Sequence, residues 1–322
     1  MVQDVRIAKR TGFCYGVREA VDKAKEAADA GRMTHTLGQV VHNEGVVAGL
    51  HARGVVPIAT LDEAQPGSTV VIRAHGVTPS VRVAASARGL EVIDGTCSWV
   101  VSEHSQLQKL VEDGYTIVLL GTPNHPEVVG LLGVAPDAIV VDEEDDWDRI
   151  PRKKRMALIT QSTQPPWKFE RLAARMVHLA HELKIVNTVC PVTIRRQEDT
   201  VATAREVDFM VVVGGRTSAN TKELTRLCEI VGTPVIQVEH AGDLADPTVF
   251  GDATVVGITG GTSTPIEDLA LVAERILETA GTADARTRAR QIALEALDAA
   301  VTPAGRTSSL PRAAGLAAAA AR

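Results

Sequence analysis

The hydrophobic and polar positions of this chain follow two alternating patterns. Continuous apolar runs, such as "TIVLL" at 116–120 and "MVVV" at 210–213, indicate strands that are buried on both faces. Between them lie amphipathic stretches such as "YGVREAVDKAKEAADAG" at 15–31, which have the periodicity of a surface helix. Strands that alternate with helices predict an α/β fold with mostly parallel sheets.

Two of the predicted strands end in the same way, because "LEVIDGTC" at 90–97 and "LKIVNTVC" at 183–190 share one build. Cys14, Cys97 and Cys190 are separated by 83 and 93 residues. A glycine lies 24 residues beyond each cysteine, and a polar residue lies four positions further on. These polar residues are His42, His125 and Ser218. Equal spacing of this kind predicts an internal repeat.

A third element recurs with looser spacing. The segments "TVVIRAHGVTP", "MALITQSTQPP" and "VVGITGGTSTP" each end an apolar strand in small polar residues and a proline. They bring His75, Ser162 and Ser263 to comparable places. Three coincidences in the same order predict three pseudo-repeated small α/β domains.

The repeat sets the predicted domain boundaries. The domains span 1–95, 96–188 and 189–282, and an Ala-rich extension at 283–322 is expected to be partly disordered, with a frayed or disordered tail at 302–322. Ligands of open parallel sheets bind beyond the carboxyl ends of the strands, where the cysteines and the polar loops lie. If the domains meet about a pseudo-threefold axis, the three thiols converge on one centre.

Composition and charge exclude several classes of protein. The chain has 322 residues, 45% of them hydrophobic, and a net charge of −6. This charge does not give the basic surface that nucleic acid binding requires. No apolar run approaches the about 20 residues that a membrane span needs, and the N-terminus has no apolar signal core. We therefore expect a cytoplasmic protein, whose cysteines serve metals or catalysis more often than disulfides.

Three repeat-equivalent cysteines favour a metal or cluster site. Three thiolates suit a [4Fe–4S] cluster whose fourth iron has no protein ligand, since the usual set is four cysteines. Zinc held by three cysteines and a histidine stays an alternative, although no CxxC spacing supports it. Cys228 lies outside the repeat in a helical stretch and is expected to be a buried hydrophobic residue.

Short polar donors surround the predicted strand ends and suit a phosphate or diphosphate. Glu127 in "NHPEV" is the carboxylate at a repeat-equivalent loop that can deliver protons. The remaining histidines, at 35, 51, 104, 178, 181 and 240, are expected to be core or surface residues. The donor set comprises His42, His75, His125, Ser162, Ser218, Asn220 and Ser263.

The motifs "GFCYGV", "VVHNEGVV", "RAHGV", "IDGTC", "NHPEVVG", "TQST", "NTVC", "SANTKEL" and "GGTSTP" resemble the 4-hydroxy-3-methylbut-2-enyl diphosphate reductase family. The resemblance runs from about residue 12 to residue 269 and implies a three-domain trefoil fold around a central cluster site. It implies that Cys14, Cys97 and Cys190 hold a [4Fe–4S] cluster and that the seven-residue donor set binds substrate. It also implies a reductive dehydroxylation to isopentenyl and dimethylallyl diphosphate, with Glu127 on the proton path and ferredoxin or flavodoxin as electron donor.

The sequence departs from this family at several positions. Ser98 and Trp99 stand where proline is usual after the second cysteine, Ser162 replaces threonine, and Ala219 replaces a serine of some members. None of these changes removes a cysteine, a histidine, Asn220 or Glu127. A competing hypothesis is an iron–sulfur sensor or scaffold that has lost turnover, which would have no need of Glu127.

Overall fold

The computed structural model describes residues 2–41, 43–216, 218–244 and 246–301. Within these ranges twelve strands form three four-stranded parallel sheets, which confirms the predicted α/β class with three repeated domains. The chain divides into two compact units, and each sheet lies within one of them. Tyr15–Cys190 forms the two-sheet unit, whereas Met1–Cys14 and Pro191–Arg322 form the one-sheet unit.

The strands are β1 Asp4–Ile7, β2 Thr34–Leu37, β3 Val55–Ile58, β4 Thr69–Ile72, β5 Glu91–Asp94, β6 Thr116–Leu120, β7 Ile139–Val141, β8 Lys153–Thr160, β9 Ala180–Ile185, β10 Phe209–Val213, β11 Val235–Val238 and β12 Val255–Gly260. The α-helices are α1 Tyr15–Asp29, α2 Glu44–His51, α3 Pro79–Ala87, α4 Ser98–Glu112, α5 Pro126–Leu132, α6 Pro166–Met176, α7 Pro191–Ala204, α8 Ala219–Ile230, α9 Ile266–Thr279 and α10 Ala285–Val301. Prolines open α3, α5, α6 and α7, where the missing N–H costs no hydrogen bond.

The two-sheet unit contains strands in the orders β3-β2-β4-β5 and β7-β6-β8-β9. All four residues of β4 and the last four of β6 are buried, as continuous apolar runs predict for the middle of a parallel sheet. The core of the second sheet includes Leu119, Ile159 and Leu107, and the core of the first includes Val70 and Leu90. The outer strands β5 and β9 are largely exposed.

The one-sheet unit has the order β1-β12-β10-β11, and its first strand corrects a predicted boundary. We expected residues 1–95 to form the first domain, yet β1 pairs in parallel with β12, with Ile7 beside Ile258. The sheet builds its core from residues such as Val211, Ile258 and Leu269. The sequence did not reveal this pairing because β1 has only four residues, is poorly apolar, and lies about 250 positions from β12.

The cysteines hold one position in this topology. The strand that precedes each of them is an outer strand of its sheet: β1 before Cys14, β5 before Cys97 and β9 before Cys190. The next residue begins a helix, which is α1, α4 or α7. Each cysteine therefore lies just past the carboxyl end of a strand and directly before a helix N-terminus.

The Ala-rich extension begins with a helix. The 17-residue helix α10 contacts α9 and β1, and its buried alanines include Ala289 and Ala293. The remainder of the extension, 302–322, lies outside the described residues, and so does the disorder predicted for it. Across the parts of the chain that are described, every helix is too short or too polar to cross a membrane.

Candidate active site

One backbone hydrogen bond recurs at all three repeat-equivalent cysteines. The N–H of Cys97 donates to the Ala74 carbonyl at 3.0 Å, that of Cys190 to the Ser162 carbonyl at 2.8 Å, and that of Cys14 to the Thr262 carbonyl at 3.2 Å. The acceptors belong to the three polar strand tips, since His75 follows Ala74 and Ser263 follows Thr262. Each cysteine is thus hydrogen-bonded to a predicted substrate-binding loop of its own sheet, and in each case that loop belongs to a different predicted repeat from the cysteine.

The surroundings of these thiols suit anionic ligands. All three are partly exposed, and each precedes a helix whose N-terminus carries partial positive charge. A Cβ at Gly16 would lie 2.6 Å from the Cys97 sulfur, so glycine keeps space open beside this thiol. Each of the three thiols is therefore accessible to a ligand, and cysteine thiolates are the usual ligands of iron–sulfur clusters.

Cys228 differs from these three cysteines in its burial and in its position within a helix. It is fully buried in α8, and burial raises the pKa of its thiol to about 12. The expectation that Cys228 is a core residue is confirmed. Over the described ranges, no three His, Cys, Asp or Glu side chains form a group that could hold a metal ion by themselves.

The two-sheet unit brings four of the predicted site residues together. His75 follows β4, and its ring meets the ring of His125 edge-on, with centroids 5.2 Å apart. His125 caps α5, and its Nδ1 accepts a hydrogen bond from the Glu127 N–H at 3.2 Å. Glu127 in turn accepts from the Ser162 N–H at 2.5 Å and from the Ser162 hydroxyl at 2.9 Å. The cluster therefore combines two imidazoles with a carboxylate that a serine orients.

Two opposing effects act on the pKa of the Glu127 carboxyl. The side chain is buried, with 2% of the residue exposed, and this burial raises the pKa of its carboxyl. The two donors of Ser162 act in the opposite direction because they stabilise the charged form. A carboxyl balanced in this way can both hold and release a proton, which is what proton delivery requires.

Glu103, in α4, is a residue that sequence reasoning missed. It is fully buried, and its carboxyl lies beside that of Glu127. The apolar face of α4 contains Val100, Leu107 and Leu110, and Glu103 is the single charged member of that buried face. A glutamate at the spacing of an apolar stripe is the signal that could have revealed it.

Trp99, one of the departures from the family pattern, links two cysteine loops. Its indole N–H donates to the Thr188 carbonyl at 2.7 Å. Trp99 lies two positions after Cys97, and Thr188 lies two positions before Cys190. Trp99 therefore forms a direct connection between the segments that carry these two cysteines.

The one-sheet unit holds the other predicted polar residues. Ser218 caps α8 by accepting a hydrogen bond from the Thr221 N–H. Asn220 is buried beside Gly261, and neither its amide oxygen nor its nitrogen has a hydrogen-bond partner among the described residues. Ser263, two positions after Gly261, is half-buried. A buried amide without a protein partner fits a polar ligand at this point.

Arg196 in α7 connects the Cys14 loop with the Ser263 loop inside the one-sheet unit. It is fully buried and donates to the carbonyls of Gly12 at 2.7 Å, Gly260 at 2.7 Å and Gly261 at 3.0 Å. Gly12 has a φ of +86°, a conformation that glycine adopts readily. The guanidinium therefore holds two predicted site loops in one arrangement.

His42 lies outside the described residues.

Comparison with known proteins agrees with this geometry. The family model described as "LytB protein" matches residues 5–277. A 4-hydroxy-3-methylbut-2-enyl diphosphate reductase of Geobacter metallireducens is 37% identical over 276 residues, which cover 85% of this chain and 97% of that protein.

Two solved structures are also similar. One is (E)-4-hydroxy-3-methyl-but-2-enyl diphosphate reductase, described as the terminal enzyme of the non-mevalonate pathway. It has a TM-score of 0.67 and 36% identity, and the match covers 86% of this chain and all of that one. The other is the E-1-hydroxy-2-methyl-but-2-enyl-4-diphosphate reductase of Plasmodium falciparum, with a TM-score of 0.77, 26% identity, and coverage of 83% of this chain and 86% of that one. These matches confirm the resemblance seen in the motifs, and the chain belongs to the LytB protein family.

Proposed function

We propose that this chain is an iron–sulfur reductase that removes the allylic hydroxyl group of (E)-4-hydroxy-3-methylbut-2-enyl diphosphate. The products are isopentenyl and dimethylallyl diphosphate, and each turnover consumes two electrons and two protons and releases water. The observation that carries the proposal is the hydrogen bond repeated three times between a cysteine N–H and a polar strand tip. In a member of this family, it pairs each cluster ligand with a substrate-binding segment.

The proposed cofactor is one [4Fe–4S] cluster per chain, held by Cys14, Cys97 and Cys190. When bound, such a cluster supplies single electrons and an iron with a coordination position open to an oxygen ligand. The helix N-termini after the three cysteines favour its negative charge. Ferredoxin or flavodoxin, which transfer single electrons, are the proposed donors.

The diphosphate end of the substrate needs short donors that can approach an anion closely. Asn220 supplies an amide whose polar atoms have no protein partner among the described residues, and it lies in the first turn of α8. Ser218 caps α8, and the N–H groups at the N-terminus of α8 add positive potential. We propose that His42, His75, His125, Ser162 and Ser263 complete the polar set that binds the diphosphate and hydroxyl groups. Binding at both ends orients the carbon chain.

Glu127 is the proposed proton donor to the departing hydroxyl. Its burial favours the protonated form, while Ser162 stabilises the carboxylate that remains after the proton has left. His125 is fixed next to it through the Glu127 N–H. The same contacts argue against a sensor without turnover, because cluster binding alone needs no buried and oriented carboxyl.

Replacement of Glu127 by Gln tests this assignment. We expect Glu127→Gln to keep its iron content and its affinity for the substrate, since the amide preserves the shape of the side chain. Turnover should fall by about 10²- to 10⁴-fold, the usual contribution of a positioned proton donor. The matched control is Glu267→Gln, because Glu267 is also the second residue of its helix, α9, but is exposed. Undiminished turnover of Glu127→Gln would remove Glu127 from the proton path.

A further inference from the structure

The buried carboxyl of Glu103 has a role that its position in the apolar face of α4 does not explain. No part of the residue is exposed, and neither carboxyl oxygen meets a hydrogen-bond donor among the described residues. A buried carboxylate without donors is costly, and natural proteins seldom keep one without a function. Glu103 lies on the second turn of the helix that Cys97 caps, at the site described above.

Its neighbour at that point is Glu127. Ionised carboxylates only accept hydrogen bonds, so two of them facing each other leave both without a donor. Ser162 supplies its N–H and its hydroxyl to Glu127, one to each oxygen, and offers no donor to Glu103. The arrangement is asymmetric: Glu127 is equipped to carry the charge, and Glu103 is satisfied only when it carries a proton.

We propose that Glu103 is a second acid of this site, whose protonated carboxyl donates a hydrogen bond to Glu127 and replaces the proton that Glu127 gives up. The inference rests on the proposed reductase function, which consumes two protons per turnover. Glu103 acts through Glu127 and is in that sense a positioning residue. In the transfer, the O–H bond of Glu103 breaks and an O–H bond forms on Glu127; the carboxylate left on Glu103 then takes a proton from solvent water.

The surroundings of Glu103 favour its protonated form. Burial contributes most to raising the pKa of the Glu103 carboxyl well above its usual range, and the charge of Glu127 adds to this effect. In the proposed arrangement, the hydrogen bond that Glu103 donates lowers the pKa of Glu127 in return. Pairs of carboxyls whose environments differ in this way divide the roles of acid and base between them.

Three variants test the proposal with reductase turnover as one readout. Glu103→Gln keeps the size and a donor to Glu127 but has no proton to give, so kcat should fall by about 10²-fold, the lower end for a positioned acid. The iron content and KM should stay unchanged. Because the amide stabilises ionised Glu127, the alkaline decline of kcat should move to lower pH. Glu103→Asp keeps an acid and should recover part of the loss, and Glu112→Gln, on the exposed face of α4, should change nothing.

Infrared spectroscopy of the purified protein supplies a readout that needs no turnover. The wild type should show the C=O stretch of a buried protonated carboxylic acid near neutral pH, and the wild type minus Glu103→Gln difference spectrum should contain this band. The band should remain in Glu127→Gln. If the difference spectrum shows no such band, Glu103 does not hold the proton and the proposal is wrong. Wild-type turnover and an unchanged pH profile in Glu103→Gln would overturn it as well. A wild type without reductase activity would instead refute the proposed function, while the infrared band would still decide where the proton lies.

Discussion

Gly16 offers the sharpest structural test of the site around Cys97. It is the second residue of α1, and a Cβ built on it would lie 2.6 Å from the Cys97 sulfur and 2.7 Å from the Cys97 Cβ. Favourable contacts between carbon atoms lie at about 3.5 to 4.0 Å, so Gly16→Ala brings the atoms about 1 Å too close. The Cys97 Cβ is attached directly to the backbone, so α1 or the start of α4 must shift.

The expected magnitude follows from two opposing effects. Overpacking of a buried contact costs about 1–3 kcal/mol in the free energy of unfolding. Alanine recovers about 0.5–1 kcal/mol through its better helix propensity. The difference is a net loss of up to about 2.5 kcal/mol, centred near about 1 kcal/mol. Displacement of the Cys97 thiol should lower cluster affinity by about 10- to 100-fold, as when the groups that orient a metal ligand are changed.

The assay compares Gly16→Ala with Gly49→Ala. Gly49 is exposed within α2, and a Cβ there would have no neighbour within 4 Å. Urea denaturation should show Gly16→Ala destabilised and Gly49→Ala slightly stabilised. Anaerobic reconstitution at limiting iron should leave only Gly16→Ala deficient in iron. If both variants were equally stable and bound equal amounts of iron, the space beside the Cys97 thiol would have no role in ligand placement.

Two further predictions concern α4. Trp99→Phe removes the indole donor to the Thr188 carbonyl, so the free energy of unfolding should fall by about 1 kcal/mol in urea denaturation; an unchanged value would show that the link contributes nothing. Because the folded-state pKa of Glu103 is raised, this residue stabilises the protein fully below about pH 4.3, the ordinary value for Glu, and loses that contribution as pH rises toward the folded-state value. Glu103→Leu should therefore flatten the decline of stability with pH, measured by urea denaturation across a pH series, and an equally steep decline would contradict the assignment.

The repeat spacing carried most of what the sequence could predict. Equal separations placed Cys14, Cys97 and Cys190 in equivalent positions, and the structure gives all three the same hydrogen bond to a polar strand tip. This succeeded because strand, loop and helix each leave a local pattern in the sequence. The pairing of β1 with β12 left none, since it joins segments about 250 residues apart and β1 has only four residues.

Two other features were not predicted from the sequence, for different reasons. Helix α10 buries small residues, such as Ala289 and Ala293, so its packed face has few of the large apolar residues that mark a buried helix in a sequence. Glu103 was missed because a carboxyl in an amphipathic helix is usually assigned to the solvent side. Its importance depends on Glu127, 24 positions away, and only the packing of α4 near α5 brings the two carboxyls together.

The central claim is that this chain binds a catalytic iron–sulfur cluster, and one measurement tests it directly. Protein purified without oxygen is analysed for iron, sulfide and zinc, then supplied with a strong artificial reductant and (E)-4-hydroxy-3-methylbut-2-enyl diphosphate. We predict a brown protein with about four iron ions per chain, as a [4Fe–4S] cluster requires, which forms isopentenyl and dimethylallyl diphosphate. A colourless protein that contains zinc, or a fully loaded cluster that gives no product, would contradict the account.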